Sequence, residues 1–144
     1  MSFTRKYIPR LNFVLTEMKN GADNKQFEEH VKLLTEETAH LHPILQLADI
    51  TQLTDISGLT ENGVALAASK EMNRFPYNID KLAILVSNKE VEILAHVYKL
   101  VSSYFRNDVK IFSDFITAIN WLGLDKHADE INKLRMESDK NNPN

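Results

Sequence analysis

Hydroxyls and carboxylates crowd one stretch of the chain, Asp49-Ile50-Thr51-Gln52-Leu53-Thr54-Asp55-Ile56-Ser57-Gly58-Leu59-Thr60. It joins an apolar run to an alanine-rich one. Ser57, Thr60, Ser87 and Ser113 each fall where an expected strand gives way to an expected helix. In open α/β sheets that edge receives ligands, because helix N-termini there offer unpaired N–H groups and partial positive charge. A plainer role is available to each of them, as a turn residue or helix N-cap. A chemical role for Ser57 requires that its hydroxyl be exposed and open to modification.

Other reactive groups are sparse. His40-x-His42 is the one close pair of imidazoles, and zinc needs further ligands. The pair precedes Pro43 at an expected helix end, where a cationic ring complements the helix dipole. His96 falls mid-helix beside Ala95 and reads as a surface residue. There is no Cys, hence no thiolate nucleophile and no Cys-ligated centre. No phosphate-binding glycine loop, H-E-x-x-H or G-x-S-x-G is present. Neither catalytic residues, nor a metal, nor a cofactor is expected. With 17 Lys+Arg against 20 Asp+Glu, the net charge is −3, and basic residues stand singly among acids, as in Lys70-Glu71 and Lys89-Glu90. Such a surface does not suit nucleic acid.

The elements that position these residues follow from periodicity. Thr4 to Ile8 and Leu11 to Met18 read as strands. Asn20-Gly21 signals a turn, and Asp23 with Gln26 resembles a capping box. Phe27, Val31, Leu34, Thr38 and Leu41 then make a helical stripe, with Glu28, Glu29, Lys32, Glu36 and Glu37 outside it. Ile44 to Ile50 is a mostly buried strand, and Thr60 to Phe75 a helix carrying Val64 to Ala68 and Met72. The unbroken apolar run Leu82 to Val86 marks an interior strand covered on both faces. Ser87-Asn88-Lys89-Glu90 opens a helix presenting Val91, Leu94, Ala95, Tyr98, Val101 and Phe105. Val109 to Phe112 is a short strand, and Ser113 caps a helix with Phe115, Ile119 and Leu122 inward and Gly123 as its C′ stop. Asp125 to Met136 is a last amphipathic piece.

The expected fold is therefore α/β: a single, mostly parallel sheet of about five strands with an antiparallel N-terminal edge, flanked by about four to five helices. The 144 residues suffice for one domain with a filled core. Hydrophobic residues at 43% and charged ones at 26% suit a globular chain, and only 4 Gly and 4 Pro argue against a sandwich of many short strands. The α/β domain is expected over 1–124, and a helical extension with a polar tail over 125–144. The start lacks the apolar stretch of a signal peptide, and no run approaches the ~18 apolar residues of a membrane span. A cytoplasmic protein without an integral membrane segment is expected.

The pattern Asp49-Ile50-Thr51, Leu53, Asp55-Ile56-Ser57-Gly58-Leu59 resembles the loop of STAS domains, the fold of bacterial anti-sigma-factor antagonists. Their loop reads Asp-Ser-Ser-Gly-Leu, and a partner kinase phosphorylates its second serine. By position that serine corresponds to Ser57, while Ile56 replaces the first. Leu82-Ala83-Ile84-Leu85-Val86, a long helix, and Val109-Lys110-Ile111-Phe112-Ser113-Asp114-Phe115 with Ala118 and Trp121-Leu122-Gly123 look like the SpoIIAA-like family. Its members are small bacterial proteins of STAS type, related to the CRAL-TRIO lipid-carrier fold. The order of elements matches over roughly residues 4–123. The resemblance implies a non-catalytic regulatory or protein-interaction module. It would act through the loop 55–60 and the following helix, with Asp49, Asp55, Ser57, Gly58 and Thr60 as interaction or phosphorylation residues. Its partner would be another protein or a second copy of the chain. The alternative is a small carrier holding an apolar, lipid-like ligand between the alanine-rich helix and the sheet, which needs a void of several hundred Å³.

Overall fold

Five strands and five α-helices, in the order β-β-α-β-α-β-α-β-α-α, make up a computed structural model that describes residues 2–39, 41, 43–74, 79–104 and 108–140. His40, His42, Phe75, Phe105 and Pro143 lie outside the described residues, as does the side chain of Met72. The strands β1 (Phe3–Ile8), β2 (Phe13–Met18), β3 (Ile44–Asp49), β4 (Ile79–Leu85) and β5 (Val109–Phe112) lie side by side in chain order. β1 pairs antiparallel with β2, and the other three pairings are parallel. The α/β class, the mixed sheet and its antiparallel N-terminal edge are those expected from the sequence.

Because each parallel strand is added on the same side of the last, right-handed crossovers place the three connecting helices on one face. These are α1 (Asn24–Thr38), α2 (Glu61–Arg74) and α3 (Lys89–Ser102). After the edge strand β5 the chain turns over, and α4 (Phe115–Trp121) and α5 (Ala128–Lys140) cover the opposite face. The sheet therefore separates two cores. On the first, Phe27, Val31, Leu34, Val64, Leu94 and Tyr98 meet Val14, Leu82 and Ile84. On the second, Ile119, Leu122 and Ile131 meet Phe13, Leu15, Leu47, Ala83 and Leu85. Side chains alternate along a strand, so Phe13-Val14-Leu15 is buried on both sides, and β4 likewise.

Boundaries move where local chemistry differs from the simple pattern. β2 starts at Phe13, because Pro9–Leu11 form a 3-10 turn and Asn12 takes a left-handed conformation (φ 49°). β4 begins at Ile79, with a register irregularity opposite Ile44 and Leu45. Asn88 and Asp114, rather than Ser87 and Ser113, cap α3 and α4, accepting from Val91 N at 2.9 Å and Thr117 N at 2.9 Å. Asp125–His127 form a 3-10 turn, and α5 runs to Lys140, beyond the Met136 at which the polar tail was expected to start. Nothing between Glu137 and Lys140 breaks a helix. Gly123, at φ 76°, ends α4 in a Schellman motif, with Leu124 N donating to Ile119 O and Gly123 N to Asn120 O.

Candidate functional site

The loop from Ile50 to Thr60 is pinned at three levels. Leu53 and Leu59 are buried and Ile56 half-buried against the first core, so apolar residues three apart fix the loop from below. Ile56, which stands where the STAS pattern has a serine, is thus a packing residue. From one flank, Asn20 Oδ1 accepts from Thr54 N and Asp55 N at 2.8 and 2.9 Å. Asn24 Oδ1 accepts from Thr60 N at 3.0 Å, while Asn24 Nδ2 donates to Thr60 Oγ1. From the other flank, Ser87 Oγ donates to Thr51 O at 2.8 Å and Asn88 Nδ2 to Leu53 O at 3.1 Å. The loops after β2, β3 and β4 are laced into one rim along the C-terminal edge of the sheet. Gly58 allows that closeness: a Cβ there would lie 2.7 Å from Ala22 O, so no other residue fits without moving backbone.

Four of the five residues singled out from the sequence, Asp55, Ser57, Gly58 and Thr60, come together in this loop. Asp55 Oδ1 accepts from Ser57 N at 3.0 Å, closing a tight Asx turn. The Ser57 N–H and hydroxyl hold the Asp55 carboxyl below its ordinary pKa. Ser57 itself is exposed. Thr60 caps α2, its Oγ1 accepting from Gly63 N at 3.0 Å. Asp49 belongs elsewhere. Its carboxylate accepts from Thr51 N and Oγ1 and, at 2.8 Å, from Arg135 Nε of α5, on the opposite side of the sheet. Arg135 also lies over the Phe115 ring, 4.5 Å from its centre.

Beneath the rim, between the sheet and the helices α1 and α3, the first core is not filled as the sequence suggests. A cavity of about 80 Å³ remains, its wall including Thr16, His30, Gln46, Ala48, Ala95 and Tyr98. Alanine on facing elements leaves the space, and polar residues intrude into it. Gln46 Nε2 donates to Thr16 Oγ1 at 2.9 Å, but Gln46 Oε1 and His30 Nδ1 are buried without a hydrogen-bond partner. His30 stacks on Phe3 at 4.7 Å, and burial, helped by Arg5 and opposed by Glu37, pushes its pKa down to about 3. The ring is therefore neutral at physiological pH. Neither residue stood out as a candidate from the sequence. The available signals were a histidine on the inward stripe of α1, beside Phe27 and Val31, and a glutamine inside the apolar run Ile44 to Ala48.

Among the described residues, no group of three or more His, Asp or Glu side chains is arranged to hold a metal. No described helix is long and apolar enough to cross a membrane.

The architecture is shared with a solved structure from Shewanella loihica PV-4, described as an uncharacterized protein from the DUF3478 family with a SpoIIAA-like fold. The match covers 83% of this chain and 91% of that one, with a TM-score of 0.56 and 20% sequence identity. The fold is thus SpoIIAA-like, in agreement with the resemblance seen in the sequence. No family model and no curated protein matches the sequence.

Proposed function

We propose that the protein is a non-catalytic, cytoplasmic regulatory module that binds a partner protein through the loop 55–60 and α2. The observation carrying this reading is an apolar groove on the outer surface between α2 and α3, walled by Ala65, Leu66, Ser69, Val101 and Tyr104, with Asn62 at its end. Leu66 is 55% exposed and Tyr104 82%. Single exposed apolar residues are ordinary, but large ones gathered on a groove favour a partner. Asn62 lies in the first turn of α2, two residues past the capping Thr60, so the groove begins at the end of α2 to which the loop leads. Ser57, exposed in that loop, suits modification. A phosphate there would add about −1.5 to −2 charge beside Asp55 and Glu61.

A photo-crosslinking side chain placed at position 66 tests the reading, with one at position 116, on α4 across the sheet, as control. Adducts are expected from 66 and not from 116, their masses separating a second copy of the chain from another protein. Ser57→Asp should weaken the yield and Ser57→Ala preserve it. Equal yields from both positions, or none from 66, would remove the reading. The carrier alternative draws on the cavity beneath the rim, but 80 Å³ is well short of the ~300 Å³ at which pockets for drug-sized or lipid-like ligands begin.

A further inference from the structure

Two buried polar atoms without partners, on residues that line one cavity, call for a physical account. Buried side-chain polar atoms in folded proteins are nearly always hydrogen-bonded, and each orphan destabilises the fold. Gln46 on β3 and His30 on α1, which carry these atoms, line the space from the sheet and from the helix layer. Most of the remaining wall is apolar: Val31, Leu34, Ile84, Val91, Leu94 and Ala95. Glu17 borders the cavity, but its side chain alternates to the other face from Thr16 and accepts from Thr4 Oγ1 at 3.0 Å. No charged group therefore balances a charged occupant.

We propose that this cavity binds a small neutral molecule, apolar over most of its surface, with one hydroxyl that donates to Gln46 Oε1 and accepts from His30 Nδ1. Burial keeps the His30 ring neutral, and in one tautomer its Nδ1 carries the proton. Gln46 is held in place by its bond to Thr16, so its carbonyl is already oriented. Size limits the occupant. An apolar cavity of about 150 Å³ takes benzene, so 80 Å³ admits a molecule of about three to four heavy atoms and neither an aromatic ring nor an acyl chain. This site is independent of the partner surface on the outer side of α2 and α3.

Propan-2-ol and 2-chloropropane, nearly equal in size and differing in the hydroxyl, are suitable probes for calorimetric and amide-shift titration of the full chain. Propan-2-ol is expected to shift amides of β3, α1 and α3 and to bind about tenfold or more tightly than 2-chloropropane, since a site built for a hydroxyl rejects the analogue lacking one. In Gln46→Leu the preference should vanish. Ala95→Leu, which fills the space, should abolish propan-2-ol binding without lowering the melting temperature. Equal affinities for the two probes, no binding of either, or unchanged propan-2-ol binding in Ala95→Leu would each overturn the proposal. So would displacement of propan-2-ol by dodecanoate, which would show a larger, lipid-accepting void. Titration of the unaltered protein decides the matter even where a variant does not fold.

Discussion

His30 ties a single residue to the stability of the whole chain. Its ring is buried and stacked on Phe3, with Arg5 and Glu37 as the charged neighbours acting on it. Burial lowers its pKa from an ordinary 6.5 to about 3. Between those values the unfolded chain binds a proton that the folded chain refuses, so stability falls as pH drops below about 6.5 and is unaffected above it. At about 1.4 kcal/mol per pH unit, the loss from pH 7 to pH 5 comes to roughly 2 kcal/mol. His30→Phe keeps the stack on Phe3 and removes the proton site. Urea unfolding at pH 5, 6 and 7 should show the variant flatter than the parent by that amount; parallel profiles would mean that the ring is protonated inside the fold. The inward position of this histidine was legible from its place on the Phe27–Val31 stripe. The absence of a partner was not, because it depends on which side chains of β2 and β3 meet the helix across the sheet.

At the scale of elements, the sequence was most readable where one local rule decides. Asp23 as the N-cap of α1 and Gly123 as the left-handed stop of α4 rest on contacts within a few residues, and both appear as expected. The rim was less readable because its bonds join residues about 35 positions apart, such as Asn20 with Thr54 and Asp55 and Asn24 with Thr60. The second partner of Asp49 was hidden for a similar reason: beside its bonds from Thr51, its carboxylate meets Arg135, which arrives from a helix at the far end of the chain. The rim also separates two hydroxyls that look alike in sequence. Thr60 satisfies an N–H of α2 and is bound to Asn24, whereas Ser57 gives its N–H and hydroxyl to the exposed carboxylate of its neighbour Asp55 alone. Thr60→Ala should therefore lower stability by about 1–2 kcal/mol, and Ser57→Ala by less than about 0.5 kcal/mol. Chemical denaturation of the two variants measures this directly. Equal losses would assign Ser57 a structural role and weaken its candidacy for modification.

The whole molecule is organised by a sheet that serves two cores at once. β4 is the strand on which this depends most, lying between β3 and β5 with Leu82 and Ile84 facing the first core and Ala83 and Leu85 the second. Its continuous apolar run was the clearest sequence signal of a layered α/β fold, since only a strand covered on both faces has no use for a polar position. Ile84 is 5% exposed and borders the cavity, whose wall holds neutral polar side chains, Thr16, His30 and Gln46, but no cation to balance a carboxylate. Ile84→Asp would force that carboxylate either to stay charged without a partner or to bind a proton, at a penalty of several kcal/mol. That is comparable with the total stability of a domain of this size. The variant is expected to be unfolded at room temperature by circular dichroism. Ile116→Asp, at a 51% exposed position on α4, should melt within a few degrees of the parent. A folded Ile84→Asp protein would mean that water reaches the cavity through the helix layer, and the sheet could not then be treated as a wall between two dry cores.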